Sequence, residues 1–187
     1  MLPWRDPRPL TRAWCLWELF CTVQSGAAFE VLLPAAERLD FERTLVADFG
    51  AVALALSTVD VQRAEAHKPE DRDAIFAAVA GAPGGAEHLN ATVLDLLRAW
   101  LLSSGRAALA AVPTEERATS SLLRNLALLL VDLGKLAEAE ELSREELEGL
   151  QFHLGPKHPD TLASLNNLAN LLKDQGKLTE AEALHRE

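Results

Sequence analysis

The 187-residue chain has two cysteines, one methionine and no tyrosine, and aromatic residues make up only 5% of it. Two thiols cannot build the disulfide framework of a small secreted domain. Cys15 and Cys21, six positions apart with no His or Cys partner at metal-ligand spacing, read as reduced thiols. Ten glycines and nine prolines are too few for collagen or for low-complexity disorder. Positive charge is also scarce: 18 Lys plus Arg stand against 28 Asp plus Glu, a formal charge of −10 at pH 7. The basic residues are scattered singly among acids, so no stripe exists to capture a phosphate backbone, and nucleic acid is excluded as a partner. Apolar runs such as 126–131 reach a third of the roughly 18 residues needed to cross a bilayer, which excludes a membrane span. The first residues carry neither a basic n-region nor an apolar h-region, so a cytoplasmic protein is expected. No Gly-rich phosphate loop is present, and no GxSxG elbow surrounds serines such as Ser57, Ser103 and Ser104. His67, His88, His153, His158 and His185 never meet Cys or carboxylate at metal-site spacing, so neither a metal nor another cofactor is expected. The acidic run at 70–73 complements the dipole of a helix that it opens.

Apolar residues, by contrast, make up 49% of the chain, and they recur. Residues 124–145 (RNLALLLVDLGKLAEAEELSRE) lie over 166–187 (NNLANLLKDQGKLTEAEALHRE) at an offset of 42, with 15 of 22 pairs identical. A fixed period of about 20 to 50 residues marks a stacked array in which each unit buries its apolar face on its neighbour. Within a unit, Leu122, Leu123, Leu126, Leu129, Leu130 and Leu133 form a helical stripe that breaks at Gly134, the expected glycine just past a helix end. A second helix is predicted over 137–152. Ala127 and Ala139 flank the turn where two antiparallel helices must approach closely. Between units, Gly155 and Pro156 stop one helix, while Pro159 and Asp160 suit the first turn of the next.

Ahead of the repeats, 10–24 (LTRAWCLWELFCTVQ) reads as a helix, and 29–33 (FEVLL), closed by Pro34, as a short strand. Asp40 is a plausible N-cap for a helix through about Leu56, and Pro69 opens another through Ala80. After the glycine-rich loop 81–85, Leu89, Val93, Leu96, Leu97, Trp100 and Leu101 fall on one helical face. Helix, strand and helix in succession predict the back part of a small α/β domain, with its boundary at 113–116 (PTEE). Trp14, Trp17 and Trp100 are expected in core packing, with part of them left as an exposed tryptophan patch.

The string GPKHPDTLASLNNLANLLKDQGKLTEAEALHRE resembles the tetratricopeptide repeat in its 42-residue kinesin light chain form, through HPDT, NNLA and the GK turn. Residues 119–150 resemble it less closely; Glu146 stands where that family prefers a small alanine in its second helix. Two units, the second ending in mid-helix, predict a piece of a longer protein, since about three repeats make a stable array. The segment PWRDPRPLTRAWCLWELF resembles the N-terminal region that accompanies such repeats in algal and protist proteins. More distantly, it is similar to the SxWCLxEL box of Toll/interleukin-1 receptor (TIR) domains. In the NAD-hydrolysing TIR domains the glutamate of that box is the catalytic acid, and the matching position is Glu18. The strands and nucleotide loop of such a domain would precede the box.

Taken together, these readings predict a mainly α chain. A truncated α/β, TIR-like region with helices (1–86) is followed by a helical connector (87–117). A right-handed α-solenoid of tetratricopeptide hairpins completes it, with repeat 1 at 118–159 and an incomplete repeat 2 at 160–187. The expected function is non-catalytic protein recognition, with a peptide or partner domain held on the concave face of the repeats. Resemblance to kinesin light chains implies association with a kinesin or microtubule assembly, although no apolar heptads form a motor-binding coiled coil. The binding residues expected are Asn166, Asn170 and Lys173, which share a helical face at i, i+4 and i+7, with Ala163 and Asp174 beside them. Arg124 is the repeat-1 counterpart of Asn166, and Leu128 replaces Asn170 there. The rival reading is a TIR-like NAD glycohydrolase fragment regulated by repeat-mediated self-association, with Glu18 as its acid.

Overall fold

The structure, a computed structural model, describes residues 4–5, 8–27, 30–56 and 60–184. Its regular elements are helices: α1 (Ala13–Gln24), α2 (Ala35–Ala47), α3 (Phe49–Leu56), α4 (Pro69–Gly81), α5 (Gly85–Ala110), α6 (Thr114–Arg117), α7 (Ser121–Asp132), α8 (Leu136–Leu154), α9 (Pro159–Asp174) and α10 (Leu178–Leu184). Two 3₁₀ turns, Arg8–Thr11 and Val61–Arg63, lie among them. The chain divides into two compact units, residues 1–44 with 50–101, and residues 45–49 with 102–187.

The first unit corrects the α/β expectation. Among the described residues no strand forms. Phe29 lies outside them, and 30–33 are irregular, with Leu32 80% exposed. A short apolar run becomes a strand only with a partner strand to take its backbone hydrogen bonds. The β-type pairing present among the described residues is one parallel bridge between Arg12 and Glu65, where Ala13 N–H donates to the Glu65 carbonyl and Glu65 N–H to that of Thr11, both at 2.9 Å. Asp40 is not an N-cap either. It sits inside α2, where its carboxylate accepts from Trp4 Nε1 at 2.8 Å and from Arg5 Nε at 3.1 Å. These bonds, that of Trp4 foremost, hold the Asp40 carboxyl below its usual range. Trp4 meets Phe41 edge-on, and Phe41 stacks on Trp100 at 4.9 Å between ring centroids. The apolar stripe of α5 is buried at Leu89, Val93, Leu97 and Leu101, with Leu16, Phe20, Ile75 and Val79 also buried in the unit. Of the tryptophans expected to form an exposed patch, Trp14 is 45% exposed, while Trp17 and Trp100 are half-buried.

In the second unit, α7 packs on α8, α8 on α9 and α9 on α10. Ala139 and Ala181, equivalent by the 42-residue offset, are buried, as are Leu126 and Leu168, and Leu130 and Leu172. Both helix ends close with the same bonds. Gly134 (φ +70°) and Gly176 (φ +77°) adopt the left-handed conformation that only glycine takes without cost. Lys135 N–H then reaches the Leu130 carbonyl at 2.8 Å, and Lys177 N–H reaches that of Leu172 at 2.8 Å, a Schellman closure in each repeat. At the opposite ends, Ser120 Oγ accepts from Leu122 N–H to cap α7, and His158 Nδ1 accepts from Asp160 N–H to cap α9.

The last turns of α5 belong to this unit. Leu147 lies in one buried cluster with Leu168, Leu172 and Ala181. Forty-two residues earlier, Gly105 faces Leu126 so closely that a β-carbon on the glycine would stand 2.5 Å from Leu126 Cδ2. Gly105 of α5 thus meets Leu126 of α7 as Leu147 of α8 meets Leu168 of α9. Arg106 of α5 also pairs with Glu138 of α8, and Glu180, 42 residues after Glu138, pairs with Arg144 of α8.

Candidate protein-interaction face

Each repeat helix buries one side and offers the other. Along α9, Thr161, Ser164, Leu168, Ala169, Leu171 and Leu172 are buried, so helical geometry places Ala163, Asn166, Asn170, Lys173 and Asp174 outward, and all five are exposed. The side chains of Asn166, Asn170 and Lys173 bond to no other described residue. Arg106, Arg117, Arg124, Lys135, Arg144 and Lys177 of this unit are ion-paired, whereas Lys173, like Lys157 in the turn before α9, is not. On α7, Leu128 is 49% exposed and Val131 half-buried at the positions of Asn170 and Lys173.

Arg124, the counterpart of Asn166, is placed differently. Its Nε donates to Glu146 Oε1 of α8 at 2.8 Å, and Ser164 of α9 donates its hydroxyl to Glu146 Oε2 at 3.1 Å. The Glu146 side chain is 4% exposed. A buried carboxylate must be paired and hydrogen-bonded to persist, and here both oxygens are occupied. Glu146 therefore joins three successive helices. The signal in the sequence was the departure itself, one acid at a position where the repeat takes alanine.

A second polar cluster ties α8 to α10. Glu140 accepts from Lys177 Nζ at 2.7 Å and from Arg144 Nη2 at 2.8 Å, and Arg144 also reaches Glu180 at 2.9 Å. The Lys177 bond, followed by that of Arg144, holds the Glu140 carboxyl below its ordinary range, and Glu140 in turn raises Arg144. Gln175 Nε2 adds a bond to the Leu136 carbonyl at 3.0 Å.

Glu18 stands on the exposed side of α1, its carbonyl taking the Thr22 hydroxyl at 2.7 Å. It lines neither the apolar cavity of about 230 Å³ among Val61, Gln62, Phe76, Val79, Ala80 and Ala86, nor the open one of about 590 Å³ that includes Val46, Val112, Pro113 and Ser121. Its charge, after burial, helps push up the thiol of half-buried Cys15. Both cysteines are free thiols. His88 packs edge-on against Phe20 and His153 against Phe152, while His185 and Ser57 lie outside the described residues. Among the described residues no group of three His, Cys, Asp or Glu side chains is arranged to hold a metal, and no helix is long and apolar enough to cross a membrane.

Comparison with curated proteins and with solved structures returns no match. Residues 118–187 match the family model described as tetratricopeptide repeat. With stacked hairpins, paired alanines and twin glycine closures in place, residues 118–187 form a tetratricopeptide-repeat region, of the kind that generally mediates protein–protein interaction.

Proposed function

We propose that this chain is a non-catalytic scaffold or adaptor that binds a peptide or partner protein through the outward face of α9, continued by α7. The observation that carries the reading is the set Asn166, Asn170 and Lys173, exposed on one helix face and bonded to no other described residue. Asparagine amides both donate to and accept from an extended main chain, and an ammonium adds a point charge for an acidic group. Exposed Leu128 supplies apolar area beside them. The likeness of 159–187 to the kinesin light chain form of the repeat supports the adaptor reading and makes a motor-associated assembly the first partner class to screen.

The test is binding of the whole chain to an array of extended peptides, wild type against Asn170→Ala and Lys173→Ala. Each substitution removes one or two hydrogen bonds or an ion pair, so the strongest binders should weaken about three- to tenfold. Unchanged affinity in both variants, with helical circular dichroism intact, discards this face.

A further inference from the structure

Arg124 and Asn166 occupy equivalent positions, 42 residues apart, yet one is a cation and the other a neutral amide. We propose that Glu146 is the specificity-determining residue that removes this difference: it withholds the Arg124 guanidinium from acidic groups of a partner and leaves Lys173 as the cation on offer. The inference rests on the recognition face proposed above and says which charge on it is in use.

Geometry supports the assignment. Arg124 gives its Nε to one Glu146 oxygen at 2.8 Å, and Ser164 holds the other at 3.1 Å, which fixes the carboxylate on both sides. The Glu146 side chain is 4% exposed and the Arg124 side chain 32%. A partner carboxylate that drew Arg124 away would strand Glu146, flanked on α8 by buried Leu147 and Leu150, without a countercharge. Competition for Arg124 therefore starts at a disadvantage that Lys173, unpaired at the end of α9, does not share. The face is polarised as a result, apolar and charge-neutral over Arg124 and Leu128, with an unpaired ammonium at Lys173 beside the carboxylate of Asp174.

The probe is N-acetyl-tetraglutamate amide titrated into the ¹⁵N-labelled whole chain, with the Arg124 Nε–H resonance as reporter. In the wild type that resonance should stay in place through the titration. Glu146→Ala, which removes the carboxylate, should bring it into the titration and raise affinity for the probe about two- to fivefold, the worth of one partly exposed ion pair. Adding Arg124→Ala should erase the gain. A purely structural role for Glu146 would give no gain of binding. An Arg124 Nε–H that titrates in the wild type, or a folded Glu146→Ala chain with no gain, overturns the inference. If the alanine variant loses helix, Glu146→Gln takes its place and must show the same gain, and movement of the wild-type Arg124 Nε–H overturns the inference whatever the variants do. The two readings fail separately: loss of Asn170 and Lys173 dependence removes the recognition face, whereas a flat Glu146→Ala response with that dependence intact removes only the role of Glu146.

Discussion

Gly149 of α8 and Ala118, in the turn before α7, are packed so closely that a β-carbon on the glycine would overlap that of the alanine and come within 3.4 Å of its Cα. The obstacle is next to backbone, so little can swing aside. Gly149→Ala should destabilise the chain by about 1–3 kcal/mol through overpacking, even though alanine is the better helix former by about 1 kcal/mol. Urea denaturation reads the loss, and combining it with Ala118→Gly should recover most of it. A variant as stable as the parent would show that α8 does not rest on Ala118.

Gly134 and Gly176 make the contrasting case. Nothing lies within 4 Å of a β-carbon built at either site, so only backbone conformation resists substitution. Alanine at each should cost about 1–2 kcal/mol and asparagine less, because an L-residue other than glycine is strained at positive φ but asparagine tolerates it. The two costs should be alike, since the hydrogen bonds closing the two helices are the same. Equal stability of the alanine and glycine forms would contradict the left-handed geometry.

Removing Arg124 should harm the fold more than removing Glu146. Arg124→Ala leaves a buried carboxylate with Ser164 alone, for a loss of about 1–3 kcal/mol. Glu146→Ala removes the charge together with its need for a partner and leaves Arg124 able to turn to water, so its cost is confined to the neutral Ser164 hydroxyl that loses its acceptor. Chemical denaturation of the two variants gives the order directly, and the reverse order would mean that Glu146 draws no support from Arg124.

The Glu140 cluster sets a pH response. Its carboxyl is held below its ordinary range chiefly by Lys177 and then Arg144, so folding favours the ionised form. That stability is fully present above the unfolded carboxyl value, near pH 4.3, and is lost as pH falls through the lower folded one. Thermal unfolding between pH 6 and pH 3 should show the repeats weakening on the acid side, with Glu140→Gln less stable at pH 6 and a flatter curve below pH 4. Parallel curves for the two proteins would exclude Glu140 as a contributor.

Local features were legible in the residues. The 42-residue period, the stripe of leucines and the glycine after it mark α7, α8 and α9 because helix periodicity and left-handed turns depend on neighbours a few positions apart. Outward placement of Asn166, Asn170 and Lys173 follows from the same periodicity. Residues 29–33 misled, since a five-residue apolar run is a strand only if another strand lies beside it. Asp40 has the chemistry of a cap but meets Trp4 and Arg5 from inside a helix, 36 and 35 residues away in the chain.

Sequence by itself determined that hairpins repeat, where each helix of the pair ends, and which side of α9 stays in water, all consequences of short-range spacing. Tertiary structure alone decided that Gly105 of α5 lies against Leu126 of α7, and that Arg124 is spent on Glu146 while Lys173 is not. Those outcomes depend on residues 21 and 22 positions apart meeting across packed helices, and no local pattern carries that information.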